Sequence, residues 1–294
     1  MEKLYTALFS QKVVKRLERL TLVSSIVGFL IHLLLVGLYH LGSFPNMSSD
    51  LFENPISAIY TPFSFILVFE IYILIYYLPR SFTTSLLKQF EIIALILIRR
   101  IFGDIAKIDL SLISFTNKEV IQLLVDLISV LVLLTIIVFF TRIRNQLIGR
   151  KLLEQAENAE QTFRLYKKRL AVVLIGIIAI ISVIHLVDYI YVTTTAVHLF
   201  QGMENNLNAI FYKDFFSVLI LCDVLVLLLS YGLTKENFKL LRNTGFVITT
   251  VLIRLSFSIE GIYNSLFIIS GALFGLAILK IYASFSEIDQ TFEE

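Results

Sequence analysis

The stretch EVIQLLVDLISVLVLLTIIVFFT, residues 119–141, decides the fold class, because only Glu119 and Asp126 in it are charged. A transmembrane helix needs about 20 mostly apolar residues, so this stretch predicts a helix that crosses a membrane. The whole chain has the same character, since 57% of its 294 residues are hydrophobic and 16% are charged. Soluble domains carry about 25% charged residues. The composition therefore favours a membrane protein and excludes disordered and collagen-like proteins, and the lone Cys222 excludes an intramolecular disulfide.

Seven other apolar stretches resemble this one in length and composition. Together they predict an all-α, polytopic integral membrane protein with about eight transmembrane helices. The two stretches that are short and contain arginine, 85–103 and 243–259, fit least well. The predicted spans are 20–41, 58–79, 85–103, 119–141, 170–192, 212–232, 243–259 and 262–281.

Lysine and arginine concentrate in alternate loops, which predicts the orientation of the chain. Basic residues cluster before residue 20, around 80–88, over 142–169 and over 235–242. The intervening loops are nearly neutral, and the loop 42–57 contains no Lys or Arg. Eight spans fit this alternation with both termini in the cytoplasm, in the cell membrane or an inner membrane. Nothing in this charge pattern indicates a nucleic-acid partner.

The segment 145–168 is too polar to be a span. Its apolar residues recur at near-helical spacing, and Glu160 and Arg164 form a favourable i,i+4 pair. It predicts an amphipathic cytoplasmic helix that is either a plain linker or a surface that binds anionic lipid or a partner. The predicted organisation is a first four-helix membrane unit at 1–144, this linker at 145–168, and a second unit with an acidic tail at 169–294.

The two membrane units resemble each other, which predicts a tandem repeat. Leu97-Ile98-Arg99 matches Leu252-Ile253-Arg254, and Glu70 matches Asp223 in order along the chain. Units of four spans insert with the same orientation, so the repeats would be parallel and related by an axis along the membrane normal. The last span carries the pattern Gly271-Ala-Leu-Phe-Gly275, which is either chance or a site of close helix approach.

Two carboxylates lie near the middle of predicted spans. Glu70 is about 12 residues into its helix, which is roughly 18 Å of rise, and Asp223 lies at a similar depth in the matching helix. An isolated carboxylate at that depth takes up a proton, and ionisable groups inside a membrane usually face the interior of a bundle. Both residues are therefore candidates for proton or cation binding, with a protonated structural acid as the alternative.

Three arginines lie in the outer parts of two predicted spans: Arg99, Arg100 and Arg254. Arginine keeps its proton, so each needs an anionic partner or water. Asp126 and Asp188 are candidate partners at a similar depth and candidate ion-binding residues themselves. The arginines are interpreted either as snorkelling or structural ion-pair residues, or as the lining of an outer vestibule that faces anions or acts as a gate.

The histidines lie on or just after the first and fifth spans. His32 and His185 occupy similar depths, and two facing imidazoles are what bis-histidine haem b ligation requires. A proton relay and a structural hydrogen bond are the alternatives. No cofactor is predicted apart from haem b in this reading, and no metal site or catalytic residue is predicted.

The leading functional hypothesis is an ion channel or transporter, proton- or cation-coupled through the paired carboxylates. No nucleotide-binding, metalloprotease or potassium-filter motif is present. The alternatives are a haem b electron-transfer subunit and a non-catalytic scaffold subunit of a larger assembly. The expected partners are the lipid bilayer and either further copies of the chain or other membrane subunits.

Overall fold

The computed structural model describes residues 2–41, 55–107, 117–149, 161–195, 204–233, 237–259 and 261–293. Over these residues the chain is helical and contains no β-strand. One 3₁₀ turn, Pro55–Ile59, precedes α3. The α-helices are α1 (Glu2–Leu8), α2 (Gln11–His40), α3 (Tyr60–Tyr77), α4 (Phe82–Lys107), α5 (Lys118–Gly149), α6 (Gln161–Thr195), α7 (Glu204–Leu233), α8 (Asn237–Ser256) and α9 (Ile262–Glu293).

Local sequence signals set several of the helix ends. Ser10 caps α2, because its side chain accepts a hydrogen bond from the backbone N–H of Val13. Ser81, two residues after Pro79 in the α3–α4 turn, does the same for the backbone N–H of Thr84 at the start of α4. Gly261 has a φ of 71° in the turn before α9, a left-handed conformation that favours glycine.

Four helical segments are long and apolar enough to cross a membrane: Glu2–His40, Lys118–Gly149, Asp214–Gly232 and Ile262–Phe285. A shorter apolar helix covers Thr61–Tyr77. Each of the eight predicted spans coincides with one helix of the structure, from α2 to α9. The all-helical fold and the apolar helices are thus established, whereas the count of eight spans stays a prediction.

Consecutive helices pack on one another within each half of the chain. The halves meet where α5 packs on α9, α4 on α8 and α3 on α6. One hydrophobic core lies among α4, α5, α8 and α9, around Phe90, Phe140 and Phe246. A second core lies among α3, α6 and α7 and includes Phe9 and Phe215.

Helices α8 and α9 approach closely at three glycines. A Cβ atom on Gly271 would lie 2.9 Å from Ile253, and one on Gly275 would lie 2.8 Å from Thr249. On the opposing helix, a Cβ on Gly245 would lie 2.8 Å from Ile278. The Gly271–Gly275 pattern therefore lies at a helix contact, as small residues do in membrane bundles.

Large apolar side chains remain exposed on the outer helices. They include Leu34 on α2, Ile180 on α6 and Leu221 on α7, each more than half exposed. A soluble monomer rarely exposes apolar surface on this scale. These faces are typical of helices that contact lipid.

The structure describes only the two ends of the predicted linker 145–168. Residues 145–149 continue α5 and residues 161–168 begin α6. Leu147 and Phe163 are both buried, in the first and the second core respectively. The middle of the predicted linker lies outside the described residues.

Candidate functional site

Asp223 and Arg254 form a buried ion pair between α7 and α8. Nη1 of Arg254 lies 2.5 Å from Oδ2 of Asp223, and the hydroxyl of Thr250 donates to the same oxygen at 2.7 Å. Thr250 stands one turn before Arg254 on α8, so both donors face α7. The exposed fractions of Asp223 and Arg254 are 5% and 4%. The carboxylate is therefore neutralised by an adjacent charge and satisfied by two donors.

The same arginine also reaches the first half of the chain. Nη2 of Arg254 donates to Oε1 of Gln89 on α4 at 3.3 Å. Gln89 is buried, as are the residues that it joins. The Asp223–Arg254 pair consequently lies at the interface between the two halves rather than inside one of them.

Glu70 and Arg99 form a looser pair between α3 and α4. Nη1 of Arg99 lies 3.6 Å from Oε2 of Glu70, and it also donates to the backbone carbonyl of Phe63 at 3.3 Å. Glu70 is only 5% exposed, yet Oε2 has no hydrogen-bond partner among the described residues. Such a buried, unsatisfied carboxylate oxygen is rare in folded proteins and calls for an explanation.

The two pairs occupy matching places in the chain. In each half, an acid on the second long helix faces an arginine on the third. The sequence matched Glu70 with Asp223 and Arg99 with Arg254, but did not pair acid with arginine. Counted in residues from the turn that joins the two helices, each arginine lies farther from the turn than its acid does. Because helical side chains lean toward the helix N-terminus, the two side chains lean toward each other and close that gap.

Arg100 makes a third polar cluster with Asp126. Nε and Nη2 of Arg100 donate to the two carboxylate oxygens of Asp126 at 2.6 and 2.5 Å. Arg100 also donates to Asn264 and Ser265 on α9, both at 2.7 Å. Gln122 adds a bond to Asp126 at 3.0 Å. This bidentate arrangement ties α4 and α5 of the first half to α9 of the second half.

The remaining predicted site residues are less fully described. His185 and Asp188 lie on α6, but their side chains are outside the described part of the structure. Nδ1 of His32 lies 2.6 Å from the hydroxyl of Thr61, which joins α2 to α3. The structure thus gives His32 a hydrogen-bond partner and brings no second imidazole to it among the described side chains.

Two buried cations were assigned by the sequence to cytoplasmic segments. Lys167 is 5% exposed, and its ammonium donates to the backbone carbonyl of Arg80 at 2.6 Å. Arg242 is also buried, bonds to Asn243 and lies 4.5 Å from the centre of the Tyr282 ring. Basic residues near span ends resemble ordinary topology signals, so only the three-dimensional packing identifies these two as interior.

Among the described residues, no group of three or more His, Cys, Asp or Glu side chains is placed to hold a metal ion. Comparison of the chain with protein-family models, curated proteins and solved structures gives no match. The functional interpretation therefore depends on the geometry of the polar clusters.

Proposed function

We propose that this chain is an ion channel or transporter built from two parallel four-helix repeats, with eight spans and both termini in the cytoplasm. Four sufficiently apolar helices support its membrane location. The matching acid–arginine pairs support the repeat, since each joins the second and third long helices of its half. The contacts of α4 with α8 and of α5 with α9 are those expected for two units related by an axis along the membrane normal.

The observation that carries the proposal is the loosely held carboxylate of Glu70. A buried carboxylate whose oxygens all accept hydrogen bonds would lose those bonds if it exchanged its partners. Glu70 instead lies 3.6 Å from Arg99, and within the described part of the chain Oε2 has no hydrogen bond. A proton or a small cation at this oxygen would supply the missing interaction, which makes Glu70 the exchanging group of a proton- or cation-coupled cycle.

Arg99 supplies the second element of such a cycle. It keeps a hydrogen bond to the Phe63 carbonyl, so it has a partner in place when Glu70 is neutralised. Protonation of Glu70 would weaken the ion pair and let α3 and α4 separate slightly. Arg254 and Asp223 would act in the same way in the second half, at a higher energetic cost because they are bonded more tightly.

Flux measurements in proteoliposomes test this function. We expect purified protein to carry protons or alkali cations at rates above those of empty liposomes, and we expect Glu70→Gln to abolish that flux. Glu91→Gln is the matched control, because Glu91 lies on α4, is half-buried and pairs only locally with Lys88 at 2.5 Å. Loss of the Glu91 charge should leave the flux unchanged, since partly exposed local ion pairs contribute little to stability.

The proposal is wrong if the wild-type flux equals that of empty liposomes for protons, Na⁺, K⁺ and Cl⁻. It is also wrong if Glu70→Gln and Glu91→Gln behave alike. Chloride is included because Arg99, Arg100 and Arg254 would line an outer vestibule that favours anions in the alternative form of the hypothesis.

The haem b hypothesis has a separate test. His32 is engaged with Thr61 in the structure, which does not favour ligation. Protein purified from haem-supplied cells should show no Soret band, and a band lost in both His32→Ala and His185→Ala would instead establish the electron-transfer function. A scaffold role would be indicated by stable co-purifying membrane subunits in gentle detergent.

A further inference from the structure

A small cavity adjoins the tight ion pair of the second half. It lies among α4, α7 and α8 and extends toward the α3–α4 turn and the start of α6. Its volume is about 20 Å³, which is room for one water molecule. Three of the residues that line its inner end are Gln89, Asp223 and Thr250. These are the side chains that surround Arg254, so the cavity reaches the charged pair itself.

Several polar residues line the cavity. Ser85 lies one turn before Gln89 on α4, and Arg80 contributes to the lining as well. A buried water needs two to four polar partners, and the lining offers a hydroxyl, an amide and a carboxylate. A dry apolar void is therefore not expected here, although Leu86 and Val247 also contribute to its walls.

Lys167 lines the cavity together with Arg80 and Phe82. Its ammonium donates to the Arg80 carbonyl at 2.6 Å and lies 4.8 Å and 4.7 Å from the ring centres of Phe82 and Phe163. The side chain of Arg80 is exposed, so this part of the cavity borders the surface. A lysine ammonium is strongly hydrated, and here this hydrogen bond and the two cation–π contacts help to replace the lost water.

We propose that this cavity is the route by which water, and a proton with it, reaches Asp223 from the side of the α3–α4 turn, and that Lys167 is its gate. The charged and polar residues that line the route are Arg80, Ser85, Lys167, Gln89, Thr250 and Asp223, and Arg254 bonds to two of them, Gln89 and Asp223. The inference rests on the proposed transport function and adds an access path to it.

The position and the charge of the Lys167 ammonium together control access to the cavity. Beside the stacked rings of Phe82 and Phe163, the ammonium of Lys167 narrows the passage and repels incoming cations. One change of lysine rotamer moves the ammonium into the solvent by Arg80 and connects the cavity to bulk water. Because Arg80 and Lys167 belong to segments that the charge pattern places inside the cell, the route would open to the cytoplasm.

Silver-ion accessibility of introduced cysteines tests the route, because Ag⁺ is a thiol-seeking cation not much larger than a water molecule. The chain has one cysteine, Cys222, so Cys222→Ala gives a thiol-free background. Ser85→Cys and Val247→Cys then report on two walls of the cavity. Ser129→Cys is the matched control, because Ser129 is 1% exposed on α5 and does not line this cavity.

Folded protein in detergent is exposed to Ag⁺ for timed intervals, and excess chloride then removes the free ion. The protein is unfolded, the remaining thiols are alkylated with N-ethylmaleimide, and the intact mass gives the protected fraction. We expect measurable protection at Ser85→Cys and Val247→Cys and none at Ser129→Cys. Lys167→Ala should raise both rates at least about tenfold, because it removes a hydrogen bond from a charged donor.

Lys167→Met serves if the alanine variant does not fold, as judged by size exclusion and circular dichroism. It keeps the length of the side chain but loses the ammonium, so a smaller increase is expected. The route is overturned if both cavity cysteines react no faster than Ser129→Cys in every background. The gate is overturned if the rates are the same with and without the Lys167 substitution.

These outcomes are separable from failure of the transport function. If the cavity cysteines react but the protein carries no ion flux, the transport function is disproved and the hydrated cavity is supported. If the protein carries ion flux but the cavity cysteines never react, transport is supported and this access path is disproved.

Discussion

The ion pair of the second half is short and has a second donor on the same carboxylate oxygen, whereas its counterpart in the first half is longer and has no second donor on Oε2 among the described residues. Arg254 and Asp223 are 2.5 Å apart, with Thr250 and Gln89 completing the cluster. Glu70 and Arg99 are 3.6 Å apart, and the Arg99 side chain is 17% exposed. An acid and an arginine at corresponding positions therefore form a rigid site in one half and an adjustable site in the other.

A single neighbouring residue accounts for much of this difference. Thr250, four residues before Arg254, donates its hydroxyl to Asp223. The matching position before Arg99 is Leu95, which has no hydroxyl and is 50% exposed. The second pair is surrounded by other helices, while the first lies near the outer face of the bundle. The two pairs thus share their charges and differ in what surrounds them.

The largest effect expected from this comparison is the loss of stability when the ion pair of the second half is broken. Asp223→Asn leaves Arg254 buried without its counter-charge, which should lower the free energy of unfolding by about 3–5 kcal/mol. Removing both charges in Asp223→Leu/Arg254→Leu should restore most of that loss, because well-packed apolar residues can replace a buried ion pair. Unfolding in detergent, followed by circular dichroism, measures both. A double variant as unstable as the single one would show that the pair itself is essential to the fold.

An intermediate effect is expected at the glycines that hold α8 against α9. Gly275→Ala would place a methyl group 2.8 Å from Thr249 and 3.1 Å from Phe90, so a loss of about 1–3 kcal/mol is expected from overpacking. Gly176→Ala is the matched control on α6, where a Cβ meets nothing within 4 Å. That control should be neutral or stabilising by up to about 1 kcal/mol, because alanine favours helix. Equal responses from the two variants would contradict the close packing of α8 and α9.

Periodicity and apolar length were enough to predict the helices. Residues 119–141, for example, lie within α5, and each of the other predicted spans coincides with one helix as well. Apolar runs of this length leave few alternatives, because backbone groups inside a membrane must bond within their own segment. The acids and arginines that form the buried clusters were also recognisable, since charges inside apolar runs are conspicuous.

The sequence offered Asp126 as a partner for the arginines, and Arg100 does pair with it, but the pairs Glu70–Arg99 and Asp223–Arg254 were not predicted. Depth along a helix ignores the direction in which side chains lean, so Arg99 and Arg254 were placed too far from Glu70 and Asp223 to be matched with them. The burial of Lys167 was hidden for a different reason. A lysine at a span end fits the positive-inside pattern whether it faces solvent or, as here, is buried beside Phe82 and Phe163.

The smallest effect on stability, and the sharpest contrast between the halves, is expected for Glu70→Gln. Oε2 of Glu70 makes no hydrogen bond among the described residues, and Arg99 keeps its bond to the Phe63 carbonyl. The substitution therefore removes a Coulombic attraction across 3.6 Å and no hydrogen bond at that oxygen, so the loss of unfolding free energy should be well below the loss of about 3–5 kcal/mol expected for Asp223→Asn. If Glu70→Gln destabilises as much as Asp223→Asn, both pairs are structural, and the distinction between a rigid and an adjustable site is wrong. If it leaves the fold intact while ion flux is lost, Glu70 serves exchange rather than folding, because a structural acid cannot be removed without a cost in stability.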